Sequence, residues 1–301
     1  RYDWPEKTES ADHRRYYQIA GITLQIDADL PITQHTYMRK FQAFQVEEPG
    51  EDTIVIHHHF SLPDLQEQDL GRLVFRRPPW AVYQGNGKWT YLGISAHGAS
   101  VPHHVAVFDP DHTSGTIYSP GKDDFCRGDL HSLTLLPTDQ LVLARVLADR
   151  EGCYLHAAGA ILEGQGLLFV GRSDAGKSTT VTMLKEKAEI LCDERIIVRK
   201  ESDGLRIHGT WSHGDVPDVS PASAPLRAIL FLEQAPENAL IPLFDPRERV
   251  RRLLACLIKP LVSTGWWEQT LSLVEALAQA PCYVQRFDKS GQVVRLLERL
   301  V

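Results

Sequence analysis

The segment Gly171-Arg172-Ser173-Asp174-Ala175-Gly176-Lys177-Ser178 fits the spacing G-x-x-x-x-G-K-[ST], and it constrains everything folded around it. It follows the apolar run Leu167-Leu168-Phe169-Val170 and opens a segment, 177–190, that reads as helical. Strand, glycine-bearing loop and helix in that order are what a phosphate cradle needs. Gly171 and Gly176 let the backbone curl so that successive N–H groups converge, and the helix N-terminus adds positive potential. Lys177 is placed to neutralise β- and γ-phosphates, and the Ser178 hydroxyl to ligate Mg²⁺. Arg172, Ser173, Asp174, Ala175 and Thr179 complete the candidate nucleotide-contacting set. The cofactors this pattern implies are ATP and Mg²⁺.

A cradle alone does not separate a hydrolase, a kinase and a switch; its neighbours must. Asp193-Glu194 stands sixteen residues after Lys177, at the head of the strand-like run Arg195-Ile196-Ile197-Val198. Neighbouring residues at a strand edge face opposite sides. One acid can therefore face the metal, making Ser178 and Asp193 the candidate ligands, while the other faces the attacking group.

The rest of the chain reads as two parts. From Pro137 on, a helix capped by Thr138 or Asp139 precedes the strand-like stretches 153–156, 160–162 and 167–170. Further strands are expected at 196–198 and 228–232, with helices over 247–261 and 267–280. This is α/β. Before residue 137, short β-type runs (17–26, 53–57, 73–75, 89–92, 105–108, 115–118) alternate with Pro and Gly turn signals, which predicts an antiparallel sheet or sandwich. The expected organisation is thus a β-rich N-terminal domain over 1–136 and a P-loop α/β domain over 137–301. A length of 301 residues accommodates both.

Composition narrows the partners. A net charge of -7 argues against nucleic acid or an anionic membrane. No apolar run reaches the roughly 18 residues needed to cross a bilayer. Five cysteines without a C-x-x-C pair argue against a disulfide scaffold or zinc module and point to the cytoplasm. No signal-like stretch opens the sequence.

The ordered elements resemble the HPr kinase/phosphorylase superfamily of P-loop kinases, whose nucleotide core is related to phosphoenolpyruvate carboxykinase. Leu155-His156-Ala157-Ala158 before the loop is similar to that family's histidine segment, and Cys192-Asp193-Glu194-Arg195 to its acidic pair followed by arginine. The segments His208-Gly209-Thr210-Trp211 and Ser223 to Glu233 look like those of a divergent branch. The resemblance covers residues 152–232 well. It implies an ATP-dependent kinase acting on a serine-type hydroxyl of a protein or peptide, with precursors of modified peptides as one acceptor class. It places His156 near the γ-phosphate and Asp193 beside the metal, and gives Glu194 the hydroxyl proton, with Asp193 as the alternative base because Glu adds a methylene to the family's usual Asp. Three departures stand out. Asp174 replaces the family's usual loop glycine, the family's proline-glycine-arginine loop is not found, and the β-rich N-terminal half does not match that enzyme's own. Together they weigh against HPr as substrate and against phosphorolysis. A small-molecule hydroxyl kinase and an inactive nucleotide-binding adaptor are the alternative readings. The β-rich half is a candidate recognition or dimerisation module, which leaves a homo-oligomer open.

Other residues carry weaker signals. His208 and His213 sit in a glycine-bearing loop that suits either a substrate contact or plain structure. Arg227 and the arginines at 247, 249, 251 and 252 suit strand-edge and solvated helix positions. His57-His58-His59 and His103-His104 invite metal, yet His57 and His59 share one strand face with His58 on the other. With no cysteine at a diagnostic spacing, no complete ligand set is legible. Trp266-Trp267 suits core packing, and Cys192, beside an acid, is no nucleophile.

Overall fold

The computed structural model describes residues 12–65, 70–95, 103–134, 139–260 and 264–301. Two units emerge: residues 22–139 with the segment before residue 19, and residues 140–301 with 19–21. Pro137 and Thr138, where the sequence puts a boundary and a helix cap, lie outside the described residues.

The first unit is built on strands β1 (Arg14–Ile19), β2 (Ile22–Ala28), β3 (Gln45–Val46), β4 (Thr53–His59), β5 (Arg72–Arg77), β6 (Trp80–Gly85), β7 (Lys88–Gly93), β8 (His104–Phe108) and β9 (Ser114–Tyr118). They form one sheet in the order β3-β1-β2-β4-β9-β8-β7-β6-β5. Period-two alternation sets its faces. In β4, Ile54, Ile56 and His58 are buried, whereas Val55, His57 and His59 lie on the half-exposed side. Over the buried face, a 3-10 turn at Arg39–Phe44 and a short helix, α1 (Asp123–Arg127), bring in aromatic rings. Phe41 and Phe125 each meet Tyr37 edge to face. The purely antiparallel arrangement expected from the sequence does not hold, because β4 runs parallel to both β2 and β9. Turn residues announce hairpins; they carry no signal for strands joined through long connections.

The second unit comprises α2 (Asp139–Ala148), β10 (Gly152–Leu162), β11 (Gln165–Val170), α3 (Lys177–Leu184), β12 (Glu189–Cys192), β13 (Arg195–Glu201), β14 (Gly204–His208), β15 (Ser223–Gln234), β16 (Ala239–Pro242), α4 (Pro246–Cys256), α5 (Thr264–Leu277), β17 (Cys282–Phe287) and α6 (Gln292–Leu297). Two long strands change partners midway. Residues 152–156 of β10 pair with β13, and 157–162 with β11. Likewise β15 begins against β14 and continues in parallel between β11 and β17.

Alternate residues of the parallel strands feed two cores. Leu167, Phe169, Leu230 and Leu232 pack with Val181 and Leu184 of α3 and Val293 and Leu297 of α6. Leu168, Val170, Ile229 and Phe231 pack with Leu253 of α4 and Val274 and Leu277 of α5. Helices thus cover both faces of the three strands that carry the loop, the layering expected of an α/β unit.

Boundaries differ from expectation in two places. The helix expected over 177–190 stops at Leu184, because Ile190-Leu191-Cys192 pairs with β10 as strand β12. The pieces 153–156 and 160–162 are one strand, joined through Ala157, Ala158 and Gly159. A Cβ on Gly159 would lie 2.6 Å from Ile196 Cδ1, so the small residue is what lets β10 pass.

Candidate functional site

The loop leaves β11 at Val170 and enters α3 at Lys177. Gly176 has φ 99°, and a Cβ there would come 2.5 Å from Phe287 Cζ, so only glycine fits both the torsion and the space. Asp174 also has positive φ, 64°. Short polar Asp is one of the few L-residues that tolerates this region. Its carbonyl accepts from Gln234 Nε2 at 2.7 Å, tying the loop to the end of β15. At the start of a helix the first N–H groups have no intrahelical partner and stay available to an anion.

Lys177 is buried and its Nζ donates 3.0 Å hydrogen bonds to the carbonyls of Gly171 and Arg172. Burial lowers its pKa, against the pull of nearby acidic groups that include Glu194 and Asp193. Ser178 Oγ donates to Asp193 Oδ2 at 2.7 Å. Asp193 is 1% exposed, and it also accepts from the backbone N–H of Gly214 (2.5 Å, to Oδ1) and of Val216 (3.0 Å, to Oδ2). The loop 209–216 therefore clamps this carboxylate toward the helix.

Glu194 points elsewhere. Its Oε1 pairs with Arg195 Nη2 at 2.9 Å, and its Oε2 accepts from Ser212 Oγ at 3.1 Å. Arg195 Nη1 donates to that same Ser212 oxygen at 2.7 Å, closing a three-residue network. Arg195 Nε is buried without a hydrogen-bond partner among the described residues. His156 sits opposite Arg195 in the β10–β13 register. Its pKa is lowered by burial first, then by the positive charges of Lys177 and Arg195, with Glu194 pulling the other way.

The structure thus brings Lys177, Ser178, Asp193, Glu194 and His156 into one neighbourhood. Beside them lies a cavity of about 630 Å³ lined by Asp174, Gly176, Lys177, Ser178, Thr179, Asp215, Phe287 and Lys289, among others. That volume lies within the usual range for small-molecule sites.

Other candidates are engaged in contacts of their own. His208 is buried against Glu201, with Nε2–Oε1 at 3.0 Å, and burial pushes its pKa down to about 4. His213 Nδ1 contacts the neighbouring Gly214 carbonyl. Arg227 Nε donates to the Leu300 carbonyl, and Arg252 pairs with Glu248 and Glu233. Trp266 is buried and donates to Ala144 O at 2.9 Å. Cys192 is buried with its pKa pushed up to about 11 by desolvation. The residues missed from sequence are Ser212, the N–H groups of Gly214 and Val216, Asp215, and Phe287. The concentration of glycine and histidine at 208–214 drew attention to the loop, whose contacts to Asp193 and Glu194 come from the Gly214 N–H and the Ser212 hydroxyl.

Three comparisons bear on the chain. A family profile described as "SynChlorMet cassette protein ScmC" matches residues 127–301. No curated protein matches. Among solved structures, the HPr(Ser) kinase/phosphatase from Coxiella burnetii matches 49% of this chain and 87% of its own, at 13% identity and a TM-score of 0.30. That likeness is weak and carries no residue role across. Among the described residues, no helix is long and apolar enough to cross a membrane.

Proposed function

The chain belongs to the family described as SynChlorMet cassette protein ScmC, and we propose that it is an ATP- and Mg²⁺-dependent kinase acting on a serine-type hydroxyl of a protein or peptide. One observation carries this reading: Lys177 and Ser178 line the cavity beside the loop, and Ser178 is hydrogen-bonded to Asp193, whose neighbour Glu194 is held separately by Arg195 and Ser212.

The residues fit the groups the reading needs. Ser178 Oγ and Asp193 Oδ2 are 2.7 Å apart. Adjacent ligands of an octahedral Mg²⁺ stand about 2.9 Å apart at its usual bond lengths, so the pair suits two neighbouring positions. Mg²⁺ would neutralise charge on the β- and γ-phosphates. Lys177, released from the Gly171 and Arg172 carbonyls, would bind the same oxygens, and the free N–H groups of the α3 terminus would complete the cradle.

The two acids divide the work by accessibility. Asp193 already accepts three hydrogen bonds and is 1% exposed, which suits a fixed ligand rather than a proton acceptor. Glu194 has 29% of its side chain exposed and can face an incoming hydroxyl. In the proposed transfer the acceptor oxygen bonds to the γ-phosphorus, the bond to the β–γ bridging oxygen breaks, and the hydroxyl proton passes to Glu194. ADP and a phosphoester result. In the proposed transfer Arg195, paired with Glu194, and His156, opposite Arg195 in the β10–β13 register, would offset the developing charge.

A nucleotide-binding adaptor is the second reading, favoured by the exposed Asp174 carboxylate on the same cavity. γ-Labelled ATP, Mg²⁺ and serine-containing peptides, with free serine in a parallel arm, test the proposal. Label should reach a hydroxyl acceptor with the wild type and not with Lys177→Ala. Tight ATP binding with neither hydrolysis nor transfer would replace the kinase with the adaptor.

A further inference from the structure

The parallel register of β2 and β4 assembles a group that neither strand holds alone. Asp27 lies opposite His57 and Ala28 opposite His58. The ladder runs one residue further, since Asp29 N donates to His58 O at 3.1 Å, which sets Asp29 level with His59. Side chains of a strand alternate faces, so His57 and His59 leave the sheet together while His58 turns inward. The buried ring of His58 is held separately, by the Leu133 carbonyl at 2.7 Å.

On the half-exposed face, His57 Nε2 is 2.8 Å from Asp29 Oδ1 and His59 Nδ1 is 2.5 Å from Asp29 Oδ2. The two imidazoles lie nearly face to face, with centroids 4.4 Å apart at 32°. Tyr118 of β9 also stacks on His59, at 5.4 Å and 17°, which helps to hold that ring. Asp27, the next acid on this face, is already committed to Arg14 and Gln25. The donor atoms of Asp29, His57 and His59 all fall within 4.8 Å of one another, and no other trio among the described residues gathers so closely.

We infer that Asp29, His57 and His59 form a three-ligand site for a divalent transition metal, Zn²⁺ first, with the remaining position open to water or an external ligand. Two imidazoles and one carboxylate are the donor set that suits Zn²⁺, and three protein ligands with one open position are its usual non-structural arrangement. Tetrahedral Zn²⁺ at its normal bond lengths separates ligand atoms by about 3.3 Å. The two His–Asp contacts, at 2.8 and 2.5 Å, would spread by less than an ångström, and a pair near the 4.8 Å limit would close by up to about 1.5 Å, movements open to side chains that are 36–45% exposed. Each ring would move its proton to its other nitrogen, Nδ1 of His57 and Nε2 of His59, and offer a lone pair where it now donates to Asp29. This site stands in the first unit and does not depend on the kinase reading.

The test uses the full chain, stripped with chelator and titrated with ZnCl₂ without nucleotide. One Zn²⁺ per chain should bind at micromolar or tighter affinity. Loss of even an outer-shell partner costs metal sites about 10–100-fold, so His57→Gln, His59→Gln and Asp29→Asn should each weaken binding at least that much. Equal binding by wild type and the His57→Gln/His59→Gln pair overturns the site, as does no uptake by the wild type. If a variant fails to fold, X-ray absorption of the Zn²⁺-loaded wild type reads the ligands directly. Nitrogen and oxygen neighbours at about 2.0–2.1 Å support the site, and sulfur at about 2.3 Å overturns it.

Discussion

Ser178 Oγ donates a 2.7 Å hydrogen bond to Asp193 Oδ2, tying the first turn of the helix after the loop to an acid fifteen residues on. The same carboxylate holds the Gly214 and Val216 amides. Asp193→Ala removes all three acceptor contacts and leaves the buried Val216 N–H unpaired, worth about 1–3 kcal/mol, with smaller losses at the part-buried Ser178 and Gly214 contacts. We expect a loss near 3 kcal/mol in urea unfolding, and a smaller one for Asp193→Asn, which retains one carbonyl. Wild-type stability in Asp193→Ala would show that the loop 209–216 is held by something else.

Glu194→Gln should separate chemistry from folding. Its ion pair with Arg195 is partly exposed and contributes little, so the unfolding midpoint should stay within about 0.5 kcal/mol of wild type. Phosphoryl transfer should fall about 10²–10⁴-fold, the usual contribution of a general base, with nucleotide affinity retained. Unchanged turnover would remove Glu194 from the proton path.

Gly176 and Gly164 both have positive φ but differ in surroundings. Nothing lies within 4 Å of a Cβ at Gly164, whereas one at Gly176 meets Phe287 Cζ at 2.5 Å. Gly164→Ala should cost only the backbone strain, about 1–2 kcal/mol. Gly176→Ala should add an overpacking cost of about 1–3 kcal/mol and lose nucleotide binding. Thermal unfolding of the two variants side by side reads the difference, and equal melting would contradict the close approach.

Burial drives the His58 pKa from 6.5 down to about 4, with the Leu133 hydrogen bond opposing. The native state therefore prefers the neutral ring, while the unfolded chain takes up a proton below pH 6.5. This stability is complete above pH 6.5 and is lost as pH falls toward 4. At about 1.4 kcal/mol per pH unit, the loss is on the order of 3 kcal/mol. His58→Gln should flatten that part of the stability–pH curve, whatever its effect at pH 7. A slope unchanged from wild type would place the titration elsewhere.

What the sequence made legible was local. The loop, its preceding strand and the acidic pair are contiguous patterns whose chemistry fixes their spacing, and the structure gathers them. Asp193's partners at Gly214 and Val216 were not legible, because a backbone N–H is the same at every residue. Asp29 was not legible beside His57 and His59, because only the parallel β2–β4 register joins residues so far apart. The continuous β10 was hidden for a similar reason. Its Ala157-Ala158-Gly159 centre looks like a break by hydrophobicity, and only Ile196 packing against Gly159 shows why small residues belong there.

Whether the 171–178 loop holds a nucleoside triphosphate is tested most directly by calorimetric titration of the full chain with ATP in Mg²⁺, alongside Lys177→Ala. Saturable one-to-one binding by the wild type is expected, weakened at least about tenfold in the variant, equivalent to a lost charge-assisted contact of about 1.4 kcal/mol or more. No binding by the wild type, or equal binding by both proteins, would contradict it.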